Sequence, residues 1–335
     1  MVTEGIDESD SPLVSVVIPA FNAQDTLDDT LLSVRRQTYR NLEILVVDDG
    51  STDGTPSLVL AHARDDQRVM LLRQENAGVA AARNKGWQAA RSDFIAFVDA
   101  DDLWELSKIE KQVSLLLAGG ERMGLVYTWW VVIDQHNRIR YAVDGLGIEG
   151  DVLAQILLGN FVGHGSSPVI RRQALIAAGG FDSGLRSAGA HGCEDMLLYY
   201  RIAMRYRFGL IPEYLTGYRV VSGRMSSDRV RMLRSFKLVA AEMKRAHPEQ
   251  GETIDKGIRR YVVFLIGEAA ASLDLRQTWS ILSFWSRKHP LDLLLMPIEV
   301  VWSKILWRLK WVQRAIRQRS LQNHYPVFPF ENSNG

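Results

Sequence analysis

At 335 residues, with 47% apolar and 24% charged side chains, the chain can bury a large core and has the composition of a globular protein. No nucleic-acid partner is expected at a net charge of +1, yet the charge is uneven: residues 1–110 hold 20 acidic and 10 basic side chains, the remainder 19 and 30. The lone Cys193 excludes an intrachain disulfide and fits a reducing compartment, the acidic residues 1–11 do not read as a signal peptide, and no uncharged run is long enough to span a bilayer.

Residues 14–18 are mostly β-branched and read as a first strand, ended by Pro19-Ala20-Phe21-Asn22. A helix is predicted from about Asp25, with Leu27, Leu31 and Val34 on one face. No Gly-x-Gly-x-x-Gly follows the first strand, so a dinucleotide fingerprint is absent there. Residues 43–47 read as a second strand that runs into Asp48-Asp49-Gly50-Ser51, with a helix over 56–64. A third strand, 69–72, leads through Asn76-Ala77-Gly78 into an Ala-rich helix, 79–90, which carries Arg83. The fourth strand, 95–98, is a short apolar run, the pattern of a strand buried on both faces, and it ends in Asp99, Asp101 and Asp102. Clustered carboxylates at a strand end suit a hard divalent cation.

Strands alternating with helices predict a parallel sheet covered on both faces. Right-handed crossovers bring the strand ends to one edge, where such sheets bind ligands. Phe21–Asn22, Asp48–Asp49, Asn76 and the acids at 99–102 should therefore converge on a ligand site.

The segments Val-Ser-Val-Val-Ile-Pro-Ala-Phe-Asn at 14–22, Val-Val-Asp-Asp-Gly-Ser-Thr-Asp at 46–53, Asn-Ala-Gly-Val-Ala-Ala-Ala-Arg-Asn at 76–84 and Phe-Val-Asp-Ala-Asp-Asp at 97–102 resemble the nucleotide-sugar half of family 2 glycosyltransferases. Gly179-Gly180-Phe181-Asp182, Glu194-Asp195 and Tyr218-Arg219 resemble the acceptor half. The resemblance covers about residues 12–227 and implies a GT-A-type, mostly parallel sheet with helices on both faces. It implies that Pro19, Ala20, Phe21 and Asn22 contact the nucleoside and that Asp49 reads the base. A carboxylate accepts the imide N–H of uracil, though thymine and guanine offer such a donor too. Asp48 serves the same site or simply ends its strand. Asn76 and Arg83 match positions near the nucleotide and its phosphates, the alternative for Arg83 being a surface helix arginine. By the same resemblance Asp99 touches the ribose, and Asp101 with Asp99 holds Mg²⁺ or Mn²⁺ against the diphosphate. Asp102 is expected to cap the helix carrying Lys108, with an outer metal role as the alternative. Asp195 is the expected base, taking the acceptor proton in a direct displacement that inverts the anomeric carbon. Glu194 orients the acceptor or caps its helix. Arg219 is a candidate phosphate clamp, but the histidine of the family's Tyr-Arg-x-His segment is replaced by Val221.

Further strands and helices are expected at 126–133, 151–158, 172–178 and 196–205, with a structural histidine, His164, in the loop 161–167 and Cys193 a bystander. Beyond residue 227 the pattern becomes helical: 229–247, 254–273 and 278–288. Residues 302–319 carry six basic side chains and no acid, with Trp302, Ile305, Leu306, Leu309, Val312 and Ile316 on one stripe, the pattern of a helix lying in an anionic membrane surface. The expected organisation is a catalytic domain over 12–227, a helical annex over 228–320 and a flexible tail over 321–335. The expected activity is an inverting, metal-dependent transfer from a nucleotide-sugar, most simply a UDP-sugar, to a glycan or lipid-linked acceptor in cell-surface polysaccharide synthesis. Its expected place is the cytoplasmic face of a membrane, peripherally bound. The alternatives are a sugar nucleotidyltransferase, which would want a Gly-rich loop after the first strand, and a non-catalytic glycan-binding or scaffold protein.

Overall fold

The computed structural model describes residues 11–144, 146–190, 192–220, 228–286, 295–296, 298–301 and 327–328. The elements among them run β1 (Val14–Ala20), α1 (Leu27–Arg35), β2 (Leu42–Asp48), α2 (Thr55–Asp65), β3 (Val69–Arg73), α3 (Val79–Ala89), β4 (Phe94–Phe97), β5 (Leu103–Trp104), α4 (Lys108–Ala118), β6 (Met123–Ile133), β7 (Ile139–Val143), α5 (Leu153–Ile156), β8 (Val169–Arg171), α6 (Arg172–Ala178), α7 (Gly184–Ser187), α8 (Glu194–Ala203), β9 (Arg207–Arg219), α9 (Arg229–Ala246), α10 (Gly251–Ala271) and α11 (Leu275–Ser286). The strands form one sheet in the order β3-β2-β1-β4-β8-β6-β9-β5, with β7 added on β6.

The expected parallel unit is its first half. β1 pairs in parallel with β2 and β4, and β2 with β3, in register Val17↔Leu45 and Val17↔Phe97. Every residue of β1, β2 and β4 is buried, Ser15, Glu43 and Asp48 included, as in strands covered on both faces. Leu27, Leu31 and Val34 of α1, Val59 of α2 and Ile109 and Val113 of α4 pack on one face. Ala82 and Trp87 of α3 pack on the other, with α6 and α8. The α3 contact is close: a Cβ on Gly86 would stand 2.3 Å from Val17 Cγ1, so α3 needs a glycine there to lie against β1.

The second half is mixed. β6 runs parallel to β9 but antiparallel to β7 and β8, and β4–β8 and β5–β9 are antiparallel. β9 is absent from the sequence reading because Gly209, Pro212 and Gly217 break its alternation. The sheet accommodates them by shifting register between Thr128 and Trp130 on β6.

Helices α9 to α11 do not form a core of their own. Leu233, Phe236, Val239, Ile254 and Val262 belong to the same buried cluster as Ile156, Tyr200 and Phe97. Among the described residues no helix is long and apolar enough to cross a membrane. The basic stripe at 302–319 lies outside the described residues. In the stretch expected to be a flexible tail, Val327 bridges Arg138 and Phe328 is fully buried, its ring against the position a side chain on Gly217 would need.

Candidate active site

The four strand ends do meet, and the hydrogen bonds show how. The Asp49 N–H donates to Ala20 O at 2.8 Å and the Gln74 N–H to Asp48 O at 2.9 Å, joining the loops after β1, β2 and β3. Asn22 sits in the left-handed region (φ 48°), a conformation asparagine tolerates, and its side-chain oxygen accepts from the Thr52 N–H at 2.9 Å. Asn22 thus ties one loop to the next, while Phe21 beside it is 50% exposed. Pro19 and Ala20 are the buried last two residues of β1.

Asp48 and Asp49 divide their work. Asp48 is fully buried and accepts from the Ser51 N–H at 2.9 Å and from Arg73 Nε at 3.1 Å, so its carboxylate closes the turn after β2. The Asp49 carboxylate accepts from Ala77 N, Gly78 N and Gln74 Nε2 at 2.7–2.8 Å. A carboxylate offers about four acceptor positions, so one is left for a ligand N–H. Asn76 donates to Asp49 O at 3.0 Å and accepts from Arg186 Nη2 at 2.9 Å. Arg186, on the short α7, thus reaches from the second half of the chain to the first. Nothing in the sequence pattern singled it out.

At the end of β4, the Asp102 N–H closes a turn on Asp99 O at 3.0 Å. Asp99 keeps 28% of its side chain exposed, and its N–H donates to Ser166 Oγ at 2.9 Å. Asp102 is fully buried and does not cap a helix. Ser107 stands at the start of α4, and the Asp102 oxygens accept from Ser166 Oγ at 2.6 Å and from the Arg219 N–H at 2.9 Å. Burial, with Asp101 and Asp99 close by, pushes its carboxyl well above the usual range. His164 is buried, with Nδ1 3.6 Å from Asp102, and its ring lies between Trp130 and Tyr218. Burial pushes its pKa down to about 3, so it is a neutral, packed histidine, as expected of a structural one.

Arg219 is turned inward. Its guanidinium is 1% exposed and donates to Asp101 O at 2.7 Å, to Asn137 Oδ1 at 2.5 Å and to the Asp134 carbonyl at 3.3 Å, with Asp29 at 3.4 Å. In this arrangement it braces the loop carrying Asp101 against the turn after β6.

The acid pair comes from the second half. Gly179, left-handed at φ 76°, ends α6, and Phe181 is held by Asn84 on both its N–H and its carbonyl at 2.9 and 2.7 Å. Cys193, also left-handed, turns the chain into α8, whose first turn carries Glu194 and Asp195. Arg83 of α3 joins this helix to the sheet edge: Nη1 donates to Glu194 at 2.8 Å and Nη2 to Asp99 at 2.6 Å. At 3% exposure it is no surface arginine. The Asp195 carboxylate accepts from the Met196 N–H at 2.6 Å and keeps a partly open face. Desolvation first, then Glu194, pushes its pKa up to about 7, against the opposing pull of Arg83. A carboxyl poised there can exchange a proton near neutrality.

Among the described residues no three His, Cys, Asp or Glu side chains are gathered as a preformed metal cage. The oxygen-only donors Asp99 and Asp101 instead fit an ion that takes one or two carboxylates and completes its shell from substrate phosphates and water.

Residues 15–177 match the family model described as glycosyl transferase family 2. That stretch is a family 2 glycosyltransferase segment. The putative teichuronic acid biosynthesis glycosyltransferase TuaG of Bacillus subtilis is 41% identical over 107 residues, covering 32% of this chain and 42% of that protein. The UDP-Glc:alpha-D-GlcNAc-diphosphoundecaprenol beta-1,3-glucosyltransferase WfgD of Escherichia coli is 45% identical over 109 residues, again 32% and 42%. The matched stretch therefore spans about two fifths of these relatives' length. Among solved structures, S. aureus TarS 1-349 aligns with a TM-score of 0.57 at 17% identity, covering 75% of this chain and 72% of that one. The mannosyltransferase PcManGT from Pyrobaculum calidifontis, in complex with GDP-Man and Mn²⁺, gives 0.57 at 21% identity and 89% of each chain. These likenesses give the fold, that of GT-A glycosyltransferases, over most of the chain, including parts the family segment does not reach.

Proposed function

We propose that the chain is an inverting, metal-dependent glycosyltransferase that moves a sugar from a nucleotide-sugar, a UDP-sugar first among the candidates, to a glycan or lipid-linked acceptor in cell-surface polysaccharide synthesis. The observation that carries this reading is the Arg83 bridge, because it puts the strand-end acids and the Glu194–Asp195 pair into one site. The nucleoside would lie along Phe21 and the Asn76–Gly78 turn, with the remaining acceptor position of Asp49 on the base N–H. Asp99 would meet the ribose. Asp101, with Asp99, would hold Mg²⁺ or Mn²⁺, which when bound supplies Lewis-acid stabilisation to the charge growing on the departing diphosphate. Asp195 would take the proton from the acceptor hydroxyl as that oxygen attacks the anomeric carbon. The new C–O bond forms as the bond to the diphosphate breaks, so the carbon inverts. Solved neighbours bound to UDP, UDP-GlcNAc or GDP-Man support the donor class, and the activity for which WfgD is named supports a lipid-linked acceptor.

The test is a panel of UDP- and GDP-sugars with Mn²⁺. One should raise the melting temperature, since a ligand bound only by the folded state stabilises it, and should release free nucleoside diphosphate. No stabilisation by any nucleotide and no release would remove the transferase reading.

We also propose peripheral attachment at the cytoplasmic face of a membrane through the basic stripe at 302–319. A chain ending at Val301 keeps the buried Met296 and Val300 but gives up the buried Phe328, so a thermal melt beside the binding assay must show that it folds. It should no longer sediment with anionic liposomes, where each basic side chain near the surface contributes roughly 1 kcal/mol. Full-length binding should weaken as salt rises. Equal binding by the shortened chain would mean that the stripe has another role.

A further inference from the structure

We propose that Arg83 is an internal counter-ion and positioning residue, locking the acid pair of α8 to Asp99, and not a ligand of the donor's phosphates. The proposal rests on the transferase reading above. A phosphate ligand must present N–H groups to an anion. Both terminal nitrogens of Arg83 already donate to carboxylates, one to Asp99 and one to Glu194, on elements from opposite halves of the chain, so its charge is spent on two anions of the protein before any phosphate arrives. The guanidinium is walled in: it lies over the Phe181 ring at 5.2 Å, and a Cβ on Gly165 would stand 2.6 Å from Nη2. The planar fork of arginine suits two carboxylates at once; a lysine ammonium is a single point charge on a flexible stem.

The local charge makes the consequence specific. One guanidinium faces Asp99, Glu194 and Asp195, so the site carries excess negative charge even with Arg83 in place. Removing the cation should therefore strengthen, not weaken, the hold on a divalent metal at Asp99. It should also release Glu194, and with it the position of Asp195 over the donor. A displacement of about 1 Å at a reacting group can cost roughly 10²-fold in rate.

The experiment uses the full chain with Arg83→Met, Arg83→Lys and Glu194→Gln, titrated with Mn²⁺ alone and with Mn²⁺ plus UDP. Free Mn²⁺ is followed by electron paramagnetic resonance, UDP affinity by calorimetry and transfer in a single turnover. Arg83→Met should bind Mn²⁺ about tenfold more tightly, from the lost repulsion of a neighbouring cation, while transfer falls about 10²-fold. Arg83→Lys keeps the charge without the fork, so Mn²⁺ affinity should stay near wild type while transfer still falls; it also covers the case in which the methionine variant does not fold. Arg83→Lys combined with Glu194→Gln should lose little more transfer than either change alone, since both break one link. Weaker UDP binding in both arginine variants would return Arg83 to the phosphates. Unchanged transfer in Arg83→Lys would remove the positioning role. If the wild-type chain binds neither UDP nor GDP, the transferase reading fails, and the Mn²⁺-only titration still decides the counter-ion assignment.

Discussion

Asp101→Asn should abolish Mn²⁺-dependent transfer while leaving the fold intact. The substitution removes one anionic oxygen donor and keeps size and shape, and neutral amide oxygen is a much poorer ligand for a hard cation. The backbone stays as it is, because Arg219 Nε is bonded to the Asp101 carbonyl, which asparagine retains. The pressure on Asp102 should ease. Its carboxyl is pushed upward by burial and then by Asp101, and that second contribution disappears. The expected result is a melting temperature at or above wild type, nucleotide-sugar turnover at background, and no response to added Mn²⁺. Unchanged turnover with unchanged metal dependence would show that the cation, if one is used, is held elsewhere.

The first half of the fold was legible because each of its signals is local. Short, mostly apolar and β-branched runs at 14–18, 43–47 and 95–98, bounded by turn residues, read as strands covered on both faces, and the handedness of their crossovers sends the polar ends to one edge. The second half was less so. β9 hides behind Gly209, Pro212 and Gly217, and β5 and β8 are too short to show a period. Residue types alone also failed to separate side chains that look at a ligand from those that look inward. Arg219 and Asp102 sit in the expected motifs yet spend their polar atoms on Asn137, Asp101, Ser166 and each other's loops. Asp48 and Asp49 are neighbours of one kind, but strand alternation sends Asp48 into the turn and Asp49 toward the Asn76–Gly78 segment. The link from Arg83 to Glu194 spans 111 residues and leaves no trace in spacing. Arg186 lies in a segment with no periodicity, and only its contact with Asn76 draws attention to it.

Asp195→Asn should lower the transfer rate by a factor of ~10²–10⁴, the usual contribution of a positioned general base. Donor affinity should change little, because the proposed base faces the acceptor hydroxyl and not the nucleotide. Asparagine can still accept the Met196 N–H that Asp195 Oδ1 now takes, so the first turn of α8 keeps its hydrogen bond. The pH dependence supplies an independent check. Only the ionised carboxylate can accept a proton, and desolvation together with Glu194 places its pKa at about 7. Wild-type transfer should therefore fall close to tenfold per unit as pH drops below about 7 and level off above it, while the residual rate of the asparagine variant should lack that limb. Stability moves the other way. A carboxyl whose folded value lies above its unfolded one binds its proton more tightly when folded, so its stabilising contribution is complete below the unfolded value and is lost as pH rises through about 7. Above pH 7 the asparagine variant should thus melt no lower than wild type. Single-turnover transfer from pH 5.5 to 8.5, beside calorimetric donor binding and thermal melts, tests all three statements. Near-normal transfer with intact binding would move the role of base to Glu194. A variant that loses binding and stability together would make the pair a structural ion cluster, and the displacement proposed for this site would have no group to accept the proton.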